Sequence, residues 1–242
     1  MTASKHIGIV ACSAEGAALC YRTICSAGSQ MLGGHRHPPV SMHTHSFEDY
    51  LTCLRHDDWN GVSQLMMESG NKLAGAGADF LICPDNTIHQ AFPMVASQST
   101  LPWLHIAEVV ADEAVRCGFT CLGILGTRWL VEGNVYAEKL GERSLQFMRP
   151  SPAECVEVDR IIFEELVYGL FTERSAEYVS GVIVRLKRNG CDAVVLGCTE
   201  LPLIITAANA AIPALDSTRL LARAALERAI LGRSQLSKGT HP

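Results

Sequence analysis

Short apolar runs alternate along this chain with longer stretches in which apolar positions recur every three or four residues. Runs of four to six bounded by Gly, Pro or polar residues read as buried strands, and the 3.6-residue period reads as helix. This predicts strands at 7–11, 40–45, 80–84, 101–106, 120–125, 144–148, 193–197 and 213–216. It predicts helices at 17–26, 59–76, 88–95, 107–117, 129–140, 154–168, 175–189 and 217–231, the last capped by Ser217. In 59–76, Val62, Leu65, Met66, Leu73 and Ala76 fall on one face. Strands alternating with helices give mostly parallel sheets and an α/β class. The segments 1–6 and 232–242 are polar; the first reads as no signal peptide and the second as a frayed tail.

The halves of the pattern echo each other. Ile7-Gly8-Ile9-Val10 matches Leu122-Gly123-Ile124-Leu125 at an offset of 115. Asp85 matches Cys198 at 113, and Leu101–His105 matches Ile212–Asp216 at 111. Three matches in one order at a nearly constant offset predict two pseudo-symmetric lobes, each a mostly parallel sheet flanked by helices. Residues 1–106 with 213–242 are expected to form one lobe and 107–212 the other. The site is expected in the cleft between them.

Composition narrows the reading further. An apolar fraction of 48% over 242 residues supplies a core of domain size. A net charge of −5 argues against a nucleic-acid surface, and no run is long enough to span a membrane. The ten cysteines form no C-x-x-C pair and read as reduced thiols of a cytoplasmic protein. His43 and His45 alternate on one strand, but no carboxylate or cysteine cluster completes a metal site around them, so they read as polar strand-end side chains. The turn at Cys12–Gly16 has neither dinucleotide nor P-loop spacing.

The chemistry-bearing residues gather at predicted strand ends, where open α/β sheets bind ligands. One strand delivers Cys198, followed by Thr199 and Glu200; its counterpart delivers Asp85, followed by Asn86 and Thr87. Cys83 shares a strand face with Asp85 but sits deeper, as core. Two proton-exchanging groups on opposite faces of one carbon are what inversion by deprotonation requires. A thiolate suits this, since a helix opening at Thr199-Glu200 would lower its pKa. Asp85 is a weak base unless burial raises its pKa, and it also suits a helix cap. Asn86, Thr87, Thr127 and Thr199, with Glu200 beside them, form the expected substrate-binding set.

These residues carry a resemblance. Asn86-Thr87-Ile88-His89, Leu125-Gly126-Thr127 and Gly197-Cys198-Thr199-Glu200-Leu201 are similar to motifs of the aspartate/glutamate racemase family, as are 161–166 with Gly169 and 216–218. The resemblance implies an isomerase of two α/β lobes, with neither pyridoxal phosphate nor metal, acting on a small amino acid or related carboxylate, and a homodimer. It implies proton transfer between two residues, of which Cys198 is the second. Two features depart from the pattern: Asp85 stands where the family commonly has Cys or in some members Thr, and Glu157 stands near the place of a Lys. No Arg lies in 46–50, and Arg160 is the substitute cation for a substrate side chain. The alternatives are a single-cysteine decarboxylase or isomerase of the same fold, or a non-catalytic carboxylate-binding relative.

Overall fold

In a computed structural model of the protein, the structure describes residues 4–236. The elements run in order β1 (Ile7–Ala11), α1 (Ala14–Leu32), β2 (Val40–Thr44), α2 (Phe47–Arg55), α3 (Trp59–Gly75) and β3 (Phe80–Ile82). A 3-10 turn (Thr87–Ala91), α4 (Phe92–Ala96), β4 (Trp103–Leu104) and α5 (Ile106–Cys117) follow. The second half holds β5 (Cys121–Leu125), α6 (Arg128–Glu132), α7 (Val135–Gly141), β6 (Gln146–Met148), α8 (Pro152–Glu164) and a 3-10 turn (Leu166–Tyr168). It closes with α9 (Glu173–Arg188), β7 (Ala193–Leu196), α10 (Leu201–Ile204), β8 (Ala214–Asp216) and α11 (Ser217–Leu236).

Both sheets have four parallel strands and the same order, β2-β1-β3-β4 and β6-β5-β7-β8. The strand register reproduces the offsets of the sequence repeat. Ile9 pairs with Ile82 and Ile124 with Val195; Ile82 pairs with Leu104 and Val195 with Leu215. The steps are again 115, 113 and 111. By the 113-residue step, Asp85 occupies in its sheet the place Cys198 occupies in the other.

The repeated glycines have a packing cause. A Cβ on Gly8 would lie 2.5 Å from Leu81 Cδ2 and 3.3 Å from Leu73 Cβ. A Cβ on Gly123 would lie 2.8 Å from Leu186 Cδ1 and 3.4 Å from Leu186 Cβ. Leu73 on α3 and Leu186 on α9 are themselves 113 apart. In each half the helix before the third strand presses a leucine onto the bare backbone of the central strand.

The chain packs as two compact units, one running to Ile106 and resuming at Leu221, the other Ala107–Leu220. The second crossing therefore falls inside α11 rather than at 212–213, because β8 is paired to β7. Other expectations also shift. The pattern missed α2, which buries Tyr50 and Leu54 and half-buries Phe47 and Leu51. The single helix expected at 129–140 is two, broken where Arg149 takes the carbonyls of Val131 and Gly133. A Ser151–Glu154 capping box and Pro152 start α8 two residues early. The helix α11 runs to Leu236, five residues past the expected end; the expectations for 1–3 and 237–242 lie outside the described residues.

Candidate active site

In each sheet the chain winds to one side of the central strand and then to the other. The switch points lie between β1 and β3 and between β5 and β7, where ligands of open α/β sheets bind at the carboxyl ends. In the first unit those ends bring Cys12, after β1, and Cys83 to Thr87, after β3. In the second they bring Gly126 and Thr127, after β5, and Gly197 to Glu200, after β7.

In the second unit the two strand ends meet closely. Gly197 N–H donates to Leu125 O at 2.7 Å, and a Cβ on Gly126 would lie 3.2 Å from Gly197 O. Thr127 is buried and caps α6, its hydroxyl accepting from Leu130 N–H at 3.3 Å. Cys198 is half-buried and its thiol donates to Glu200 Oε2 at 2.9 Å. The same oxygen accepts from the Thr199 hydroxyl at 2.7 Å. Glu200 is 5% exposed, so its contact with the thiol lies in a medium where hydrogen bonds are electrostatically stronger than in water. The helix expected to lower the thiol pKa is α10, of four residues only, with Pro202 in its first turn. Its dipole is correspondingly small, and Glu200 is the group in contact with the sulfur.

In the first unit Asp85 is half-buried. Its Oδ1 accepts from Ile88 N–H at 3.2 Å, so the capping role weighed from sequence is present. Asn86 and Thr87 are buried beside it. His89 fixes the loop: its Nδ1 lies 2.6 Å from Asp85 O, and Ile106 N–H donates to its Nε2 at 3.4 Å. Burial lowers the His89 pKa to about 4, so the ring is neutral, Nδ1 donating and Nε2 accepting. Cys83 is fully buried, and burial first, then the charge of Asp85, pushes its thiol well above the usual range. That agrees with its reading as core.

Tyr50 was not found from sequence. Its side chain is fully buried and its hydroxyl has no hydrogen-bond partner. Burial is the main cause that raises its pKa, the nearness of Cys83, Cys12 and Asp85 adds to it and Ser69 opposes it, which places Tyr50 at this strand edge. Ser69 beside it is engaged by His43 Nδ1 at 2.9 Å. The signal was absent because a buried tyrosine on an amphipathic helix reads as core.

Of the two histidines read as strand-end side chains, His43 lies in β2, and His45, just beyond it, has its Nε2 3.6 Å from Glu68 Oε2. His43 meets Ser69 through Nδ1 and Lys72 through Nε2 at 3.0 Å, so both its ring nitrogens are in use. Among the described residues no group of three or more His, Cys, Asp or Glu is arranged to hold a metal. The cation expected for a substrate side chain is committed elsewhere. Arg160 contacts Glu157 and Glu165 at 2.8 Å and Glu164 at 3.4 Å. It lines a cleft of about 620 Å³ with Glu157, Arg174 and Tyr178.

Comparison with known proteins bears on the whole chain. The Asp/Glu/Hydantoin racemase family profile matches residues 8–225. A provisionally assigned Asp/Glu racemase from Yersinia pestis is similar at 29% identity and TM-score 0.87, covering 93% of this chain and 99% of its own. An aspartate racemase homologue from Pyrococcus horikoshii has 26% identity and TM-score 0.81 over the same shares. The aspartate racemase of Picrophilus torridus shares the fold, with 21% identity, TM-score 0.74, and 93% and 94% coverage.

Proposed function

This chain belongs to the Asp/Glu/Hydantoin racemase family, and we propose from that premise that it is a cofactor-independent amino-acid racemase using Cys198 and Asp85. The observation that carries the reading is the register equivalence of these two residues. Each follows the third strand of its sheet, at the switch point, on the same step of 113 residues. In the proposed mechanism they act on opposite faces of one substrate carbon. Asn86, Thr87, Thr127 and Thr199 hold the carboxylate and amino group.

The Cys198–Glu200 contact supplies the proton relay. Glu200 accepts the thiol proton, leaving a thiolate without placing two charges side by side. The thiolate removes the α-proton, and a protonated Asp85 delivers one to the opposite face. Reversal of both transfers runs the other direction. Asp85 must hold its proton for this, which makes the two directions chemically unequal. The capping bond of Asp85 also favours a second reading, in which Cys198 alone protonates a carbanion left by decarboxylation and Asp85 only shapes the loop.

Proton NMR in deuterium oxide tests the first reading, with L- and D-amino acids including aspartate, glutamate and neutral members. Wild-type protein is expected to erase the α-proton signal of at least one, and Cys198→Ala to lose that exchange at least 100-fold with its fold intact. Asp85→Ala is expected to impair inversion more than binding. Exchange at the wild-type rate in Cys198→Ala rejects the mechanism, and carbon dioxide release identifies the second reading. The homodimer and the cytoplasmic location belong to the same proposal and rest on the family resemblance and the thiol content.

A further inference from the structure

Two cysteines far from this chemistry in sequence lie against each other. Cys121 opens β5, and Cys191 stands two residues before β7. Their sulfurs are 3.9 Å apart, at the amino ends of strands whose carboxyl ends carry Thr127 and Cys198. Asp192 clamps the two backbones together. Its N–H donates to Cys121 O at 2.9 Å, and its carboxylate accepts from Cys121 N–H at 3.1 Å. The other carboxylate oxygen accepts from the Thr120 N–H and hydroxyl, each at 2.7 Å.

Leu122 pairs with Ala193, which sets Cys121 opposite Asp192 and diagonal to Cys191. Adjacent strands are about 4.8 Å apart, and a disulfide needs Cα atoms roughly 4.4–6.8 Å apart with sulfurs at about 2.05 Å. For a diagonal pair, that spacing and a rise of about 3.3 Å per residue put the Cα atoms roughly 5.8 Å apart, within the range for the bond, and side-chain rotation brings the sulfurs together.

We propose that Cys121 and Cys191 are a covalent modification site, closing to a reversible disulfide when the protein meets a hydroperoxide. The Cys121 thiolate attacks a peroxide oxygen. The O–O bond breaks, the proton released when the Cys121 thiolate formed goes to the departing hydroxide, and the products are a sulfenic acid on Cys121 and one water. Cys191 sulfur then displaces the sulfenic hydroxyl; the S–S bond forms, and the Cys191 proton leaves with that hydroxyl as a second water. Two thiols lose two electrons, and one hydrogen peroxide becomes two waters. A small, uncharged oxidant is needed because Cys121 is 8% and Cys191 4% exposed. Burial, with Cys121 alongside, pushes the Cys191 thiol up to about 12, which assigns it the second, resolving step. The bond would fasten β5 to β7 at the end remote from Cys198, strengthening the unit without touching the strand ends that bear the candidate site.

The test uses the full chain treated with hydrogen peroxide, alkylated, and mapped without reduction. The expected result is a linked pair of Cys121 and Cys191 peptides, an intact mass lower by about 2 Da, the two hydrogens lost, and a raised unfolding midpoint that dithiothreitol reverses. Cys191→Ser and, separately, Cys121→Ser are expected to lose the link and the rise; either suffices if the other fails to fold. Peroxide that oxidises other cysteines while these two stay unlinked overturns the proposal. So does a link that appears only in urea. Neither result bears on the racemase reading, which is judged by exchange at the substrate.

Discussion

His89 shows how one side chain ties the loop that carries Asp85 to the scaffold. Its ring donates to the carbonyl of Asp85 and accepts from the first N–H of α5, and it stacks on Phe92 at 5.7 Å. Protonation would make its accepting nitrogen a donor facing the Ile106 N–H, so the native state holds it neutral. Its pKa falls from 6.5 to about 4 through burial. The unfolded chain then binds a proton in this window that the folded chain does not. Stability contributed by this group is intact above pH 6.5 and declines as pH falls, by about 1.4 kcal/mol per unit and ~3 kcal/mol in all by pH 4. Urea midpoints across pH, with imidazole resonances followed by NMR, check this; a His89 ring titrating near 6.5 would contradict it. The motif Asn86-Thr87-Ile88-His89 was legible as a site signature, but the work of its histidine was not. Sequence spacing does not show that Ile106, seventeen residues on, donates to the ring. Likewise Glu200 was legible as a neighbour of the site, while its contact with the Cys198 thiol depends on the bend at 198–200.

At the scale of elements, the strands were the most readable part, because each central run is continuous, apolar and closed by Gly or polar residues. The helix α2 was overlooked although Phe47, Tyr50, Leu51 and Leu54 recur at helical spacing, since it is only nine residues long and Glu48, Asp49, Thr52 and Arg55 make up much of the rest. The break between α6 and α7 was hidden for a different reason. It depends on Arg149, the residue just after β6, reaching back to two carbonyls. The paired glycines make a prediction that belongs to this scale. Gly8→Ala and Gly123→Ala each force a methyl onto a leucine already in contact, and each is expected to cost 1–3 kcal/mol, roughly the toll of overpacking. Chemical denaturation measures it. Unchanged midpoints in both variants would show that the repeat preserves glycine for some reason other than helix packing.

Across the whole molecule, the last helix is what makes the division of the chain discontinuous. Its start, through Leu220, belongs with β5 to β8, and its continuation from Leu221 belongs with β1 to β4. Leu221, Ala222, Ala225, Leu226 and Ala229 are fully buried, Lys5 N–H donates to Ala229 O at 3.1 Å, and the Arg228 guanidinium lies 5.0 Å over Phe80. The β1–β4 unit therefore draws its stability partly from the end of the chain. Leu226→Ala is expected to cost roughly 2–5 kcal/mol, as cavities of this size do, and hydrogen exchange should rise in β1–β4 ahead of β5–β8. The reverse order would mean that α11 supports the other unit.

The sequence by itself determined the α/β class, the eight strands, the twofold repeat and the family, because those rest on apolar periodicity and on motifs that are local in the chain. Only the tertiary structure decided the rest. It placed β8 beside β7, gave the Cys198 thiol a carboxylate in place of a helix dipole, committed Arg160 to three glutamates, and set Cys121 against Cys191. Each of these is a meeting of side chains or strands whose separation along the chain, or whose bend between neighbours, no periodicity encodes; packing selects them when the sheets close.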